Sequence, residues 1–184
     1  MDAAQRTNAA GPLALAQACA EQGVRLIHIS TDFVFDGTAS QPYKPDAGTA
    51  PLGEYGRSKR AGELAVQSVL PAALILRTGW VYSRYGGNFV KTMLRLMSER
   101  DELAVVADQV GTPTWAHGLA EAVWACSVRP QLPIAAIEYP TPACRPAYSV
   151  LDKTNSWRDF AIAGVHWRQQ LRAMLEDYKA LQNE

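Results

Sequence analysis

At 184 residues, nearly half of them hydrophobic, the chain is long enough for one domain with a real core. Its 18 Lys and Arg balance its 18 Asp and Glu and are spread rather than blocked, which argues against a nucleic-acid-binding surface. No apolar run is long enough to span a membrane, and the first residues, Met1-Asp-Ala-Ala-Gln-Arg6, lack the apolar centre of a signal peptide. Cys19, Cys126 and Cys144 are odd in number and far apart, so they read as reduced thiols of a cytoplasmic protein rather than as a disulfide or metal framework.

In chain order, residues 6–22 read as a helix with Leu13, Leu15, Ala16, Cys19 and Ala20 on its apolar side, Asn8 available as a cap and Gly23 as its stop. Arg25-Leu-Ile-His-Ile-Ser30 is short and rich in branched apolar residues, the pattern of a buried parallel strand. His28 within it reads as a core or sheet-face residue. The strand ends in Ser30-Thr31-Asp32, and polar residues at the carboxyl end of such a strand face the crevice where ligands bind. A polar loop over residues 38–51 follows, long enough to be functional or mobile. It leads to a helix containing Tyr55-Gly-Arg-Ser-Lys59.

Residues 72–78 form a second buried strand, ending in Gly79-Trp80-Val-Tyr82, where Trp80 can stack on a flat ligand ring or plug the core, its strand-end position favouring the ligand. Asn88 caps a helix from Phe89 to about Arg100 with Met93, Leu94, Leu96 and Met97 on its stripe. Leu103-Ala-Val-Val106 reads as a third short strand, and Thr114 or Trp115 opens a helix to about Ser127. Five prolines between Pro130 and Pro146 rule out regular helix there, and Arg145 in that loop is a candidate phosphate contact. An amphipathic helix, residues 167–181, ends the chain. Strands alternating with helices make an α/β protein with a parallel, doubly wound, Rossmann-like sheet.

Tyr55 and Lys59 are four residues apart on one helix and so share a face. A free phenol titrates at about pH 10, too high for ready proton exchange near neutrality. A nearby ammonium favours the phenolate, and the pair can then act as a general acid on a carbonyl. The spacing alone is weak; its position after a strand-end Ser-Thr-Asp and a long loop gives it weight.

Several segments, in order, resemble the dTDP-4-dehydrorhamnose reductases of the extended short-chain dehydrogenase/reductase superfamily. They are Ser30-Thr-Asp-Phe-Val-Phe-Asp-Gly37, the stretch around Tyr55-Gly-Arg-Ser-Lys59, Leu76-Arg-Thr-Gly-Trp-Val-Tyr82, Asn88 to Leu96, Asp108-Gln-Val-Gly-Thr-Pro-Thr114 and the loop at Arg145. The resemblance implies that Tyr55 protonates the sugar O4 as hydride reaches C4 of dTDP-4-dehydro-L-rhamnose. It implies that Lys59 supports that tyrosine and holds the nicotinamide ribose, and that Thr31, Asp32 and Trp80 contact the dTDP-sugar. NADPH or NADH is the implied cofactor. Some members carry Mg²⁺ at a homodimer interface, with no ligands placed on this chain.

The sequence departs from that pattern at its front, where no strand and Gly-x-x-Gly turn precede Gly11. The expectation is therefore a chain beginning at the helix before the fourth strand, with weak cofactor binding and no residue to choose NADH or NADPH. Residues 1–130 are expected as the later half of a cofactor-binding domain and 131–184 as part of a small substrate lobe. Three other readings stay open: a non-catalytic regulatory subunit, a different sugar-nucleotide epimerase or dehydratase, and an inactive fragment. The intact Thr31, Tyr55 and Lys59 weigh against the first, and Phe33 where a dehydratase would carry a second carboxylate weighs against the second.

Overall fold

The computed structural model describes residues 3–111, 113–128, 135–136, 148–154, 158, 160, 162 and 164–182. The chain opens on one continuous rod, α1 (Ala3–Gln5), a π-helical segment (Arg6–Ala10) and α2 (Gly11–Glu21). Strand β1 (Ile27–Thr31) runs into a 3₁₀ turn (Asp32–Val34), and the polar loop leads to α3 (Glu54–Val69). Then come β2 (Leu74–Thr78), β3 (Val81–Tyr82), α4 (Phe89–Glu99), β4 (Thr114–Trp115), α5 (Ala116–Ser127), β5 (Ala135–Ala136) and α6 (Trp167–Gln182).

The main sheet has the order β1-β2-β5, all parallel, and a second small sheet pairs β3 with β4, also parallel. The doubly wound α/β reading holds, with β5, beyond residue 130, in the main sheet. Register sets the chemistry: Ser30 lies opposite Arg77 and Thr31 opposite Thr78, so two threonines end neighbouring strands side by side.

Alternation along β1 and β2 sorts side chains between the two faces. Leu74 and Leu76 pack with Cys126 and Phe160, and with the partly buried Ile27, Ile29 and Val123, on the α5 side. Ala16, Val66 and Ala73 join Leu26, Val69 and Leu70 between α2, α3 and the sheet. Leu76 and Val66 are fully buried; truncating such a leucine to alanine costs about 2–5 kcal/mol. Between these apolar clusters, His28 and Arg77 lie on the α3 side, where Arg77 meets Glu63.

Helix α3 approaches the π-helical segment very closely. A Cβ on Gly62 would lie 2.0 Å from the Asn8 carbonyl oxygen, and one on Gly56 would lie 2.2 Å from that of Phe33. Only glycine permits either approach. Asn8 is thus not the helix cap expected from the sequence: it sits inside the rod, in the π turn, and donates its side-chain amide to Ser58 Oγ at 3.0 Å.

The loop over residues 38–51 is held at several points. Tyr43 stacks on Phe35 with centroids 4.2 Å apart, its hydroxyl donates to Asp36 at 2.6 Å, and its backbone bridges to Leu151. Residues 103–106 are a correction. They form no strand, and Val105 and Val106 are exposed, because the run finds no ladder among the described residues. Thr114 and Trp115 form β4, and Trp115 is also the N-cap of α5, so that helix opens and ends where the sequence placed it. Arg145 and Cys144 lie outside the described residues. No described helix is long and apolar enough to cross a membrane.

Candidate active site

The carboxyl ends of β1 and β2 open onto a cleft of about 390 Å³. Thr31 and Thr78 line it from the strands, Tyr55 and Lys59 from α3, and Tyr85 and Asn88 from the chain between β3 and α4. The predicted Thr31, Tyr55 and Lys59 are therefore brought together, although a long loop separates the first from the other two.

Each is fixed locally. The Tyr55 ring packs edge-on against Phe33 at 5.5 Å, and the Tyr55 carbonyl accepts a hydrogen bond from Ser58 Oγ at 2.9 Å. Since Ser58 also accepts from Asn8, the π turn is wired to the first turn of α3. The Lys59 ammonium donates to the Ile29 carbonyl at 2.7 Å, which ties α3 to β1 beside Thr31. Burial lowers the Lys59 pKa, and the negative charge of Glu63 one turn on opposes that. His28 is pushed down to about 4 by burial and by the Lys59 charge, with Glu63 opposing, so it is neutral at physiological pH.

Thr31 Oγ1 donates to Asp32 Oδ1 at 3.0 Å and accepts from the Phe33 amide at 3.3 Å. Its hydroxyl hydrogen is thus engaged, leaving a lone pair for the cleft. Asp32 has no exposed surface and does not line the cleft; burial pushes its carboxyl up to about 7 against hydrogen bonds from Ser149 and Thr31, and Oδ2 has no side-chain or backbone partner. The structure places Asp32 behind Thr31, not on the cleft wall.

Trp80 also lies off the wall. It has φ 54, in the left-handed region that bulky residues rarely occupy, at a cost of about 1–3 kcal/mol. The Thr114 amide bonds its carbonyl at 3.0 Å, and its ring lies so close to Gly111 that a Cβ there would sit 2.2 Å from Nε1. Its neighbours Thr78 and Val81 do line the cleft.

Sequence reasoning missed Thr78, Tyr85, Ser58 and Glu63. The first depends on strand register and the second on the path after β3, neither of which is local. Ser58 and Glu63 were within reach: both stand at helical spacing from Tyr55 or Lys59.

A parallel α/β sheet whose strand ends open onto a Tyr-x-x-x-Lys pair defines an oxidoreductase of the short-chain dehydrogenase/reductase type. The RmlD substrate binding domain matches residues 1–132 and 127–180, and the chain belongs to that family. A dTDP-4-dehydrorhamnose reductase of Sinorhizobium fredii is 42% identical over 210 residues, covering 91% of this chain and 71% of the relative. One from Mycobacterium tuberculosis is 39% identical, covering 94% and 69%. The crystal structure of a dTDP-4-dehydrorhamnose reductase from Bacillus anthracis in complex with NADP superposes with a TM-score of 0.83 at 31% identity, covering 92% of this chain and 70% of that one.

Proposed function

We propose that the protein reduces the 4-keto group of dTDP-4-dehydro-L-rhamnose to the alcohol of dTDP-L-rhamnose, with Tyr55 as proton donor. The observation that carries this is the convergence of Tyr55, Lys59 and Thr31 on one cleft at the strand ends, in a chain whose relatives bear that reductase name.

NADPH or NADH, when bound, supplies the hydride to the C4 carbon. The residues present fit a nicotinamide riboside: Thr78 Oγ1 is buried without a protein partner on the cleft wall, and Lys59 offers further donors beside it. As C4 accepts hydride, Tyr55 gives its phenolic proton to the former keto oxygen and becomes phenolate, later reprotonated from water. The Lys59 ammonium stabilises that phenolate. Thr31, its hydrogen turned to Asp32, accepts from a hydroxyl in the cleft and so orients it. Among the described residues no three His, Cys, Asp or Glu side chains converge on a metal site, and no step is assigned to Mg²⁺.

The test is a turnover assay with dTDP-4-dehydro-L-rhamnose, following loss of reduced nicotinamide while cofactor is raised until the rate no longer changes. Equal molar formation of dTDP-L-rhamnose is expected. No product under those conditions, from protein that binds the sugar nucleotide, overturns the proposal.

A further inference from the structure

The bend between β3 and α4 puts an aromatic ring into the cleft that the proton-transfer chemistry does not use. Tyr85 lines the cleft with Tyr55, Lys59 and Thr31, yet it is 62% exposed and joins none of the apolar clusters. The ring is held all the same. The Arg84 guanidinium lies 4.7 Å from its centroid and donates to its hydroxyl. The Tyr85 amide donates to Ser83 Oγ at 3.1 Å, and Asn88 Nδ2 donates to the Ser83 carbonyl at 2.7 Å, which fixes the bend itself. Arg84 is in turn fixed from α6, where Asp177 Oδ1 accepts from its Nη1 at 2.6 Å. A second contact docks α6 on the same stretch. The Lys91 ammonium donates to the Arg84 carbonyl at 3.1 Å and lies 5.1 Å from the centroid of the Tyr178 ring.

We propose that the Tyr85 ring is a contact for the sugar half of the substrate, and that Asp177 is a positioning residue that sets this ring through Arg84. The proposal rests on the reading of the cleft as a sugar-nucleotide site. A lone exposed aromatic is ordinary on a protein surface, and there it turns freely. Tyr85 is instead pinned at its hydroxyl and along its ring, in the wall that holds the reacting groups. A group fixed before the ligand arrives loses little freedom on binding, so its contact counts in full. With the hydroxyl occupied by Arg84, the open part of the ring offers mainly apolar surface. The sugar of dTDP-4-dehydro-L-rhamnose is a 6-deoxy sugar, and its methyl group and ring C–H bonds make a matching apolar side. Removing both surfaces from water drives the contact. The Arg84–Asp177 pair does little for the fold by itself: both side chains are part-exposed, and an ion pair in that setting adds little stability. Its effect is local, in holding the guanidinium against Tyr85.

The test is calorimetric titration of wild type, Tyr85→Leu, Asp177→Asn and the double variant with two ligands, dTDP-L-rhamnose and dTDP, the second of which has no sugar. Tyr85→Leu is expected to weaken dTDP-L-rhamnose binding by about tenfold, the scale of one lost aromatic contact, and Asp177→Asn by about threefold. Adding Asp177→Asn to Tyr85→Leu should cost nothing further, because its effect runs through the ring. Affinity for dTDP should be the same in all of them, an outcome that general damage to the bend would not give. Unchanged dTDP-L-rhamnose affinity in Tyr85→Leu, or an equal loss for dTDP, overturns the sugar contact. No effect of Asp177→Asn, or losses that add in the double variant, overturns the positioning role. A wild-type protein that binds neither ligand removes the sugar-nucleotide reading of the cleft itself, and the assignment of Tyr85 falls with it.

Discussion

Replacing Asp32 by asparagine should flatten the pH dependence of folding stability. Burial raises the Asp32 carboxyl from 3.8 to about 7. The native state therefore holds a proton that the unfolded chain releases above about pH 4. Between those values the native state binds more protons, so stability falls as pH rises, and the loss is complete once pH has passed about 7. A shift of that size corresponds to about 4 kcal/mol between the two extremes, an upper figure because native relaxation reduces it. Asparagine cannot ionise, keeps the volume, and still offers a carbonyl to the Thr31 hydroxyl. Its own fixed cost is the same at every pH and cancels when the variant-to-wild-type difference at pH 4 is subtracted from that at pH 8. Urea unfolding of both proteins at half-unit steps across that range gives the two curves. The asparagine variant should gain on wild type by about 2–4 kcal/mol from the acid to the alkaline end. Parallel curves would show that Asp32 is ionised throughout, and the account of a buried neutral acid behind Thr31 would be wrong.

His28 should act in the opposite sense. Its folded pKa lies at about 4, below the ordinary 6.5, so the stability it confers is present above pH 6.5 and is lost as pH falls toward 4. His28→Leu should therefore unfold less readily than wild type at pH 5 relative to pH 7.5, measured by melting temperature; equal sensitivity of both proteins would refute this. Gly62→Ala should destabilise by about 3 kcal/mol, since its Cβ meets a backbone carbonyl that cannot swing aside. Its urea midpoint, with an unchanged m-value, is the measure. Gly111→Ala should displace the Trp80 ring and alter Trp fluorescence while leaving global stability less affected than Gly62→Ala does.

Much of the main sheet could be read from the chain because its strands are locally marked. Residues 25–30 and 72–78 are apolar runs, and the observed β1 and β2 fall within a residue or two of them. The first rod, α3, α4 and α6 were equally plain from their periodicity and stops. The two-residue strands β3, β4 and β5 were invisible, because such pairs are made by partners distant in sequence and carry no pattern. Residues 103–106 misled for the converse reason: Val105 and Val106 suit a strand, yet they stand exposed without one. At the site, Tyr55, Lys59 and Thr31 were legible from spacing and strand-end position. That Asp32 and Trp80 do not line the cleft was not, since a side chain's direction at a turn follows from backbone angles such as the positive φ of Trp80.

The central claim is that the Tyr55 hydroxyl delivers the proton to the keto oxygen. Tyr55→Phe removes one oxygen and leaves the ring against Phe33. The decisive measurement is turnover of dTDP-4-dehydro-L-rhamnose by this variant, set beside its affinity for dTDP. The account predicts a loss of at least about a hundredfold in kcat, the scale of a lost general acid, with dTDP affinity nearly unchanged. Turnover equal to wild type in the phenylalanine variant would contradict it.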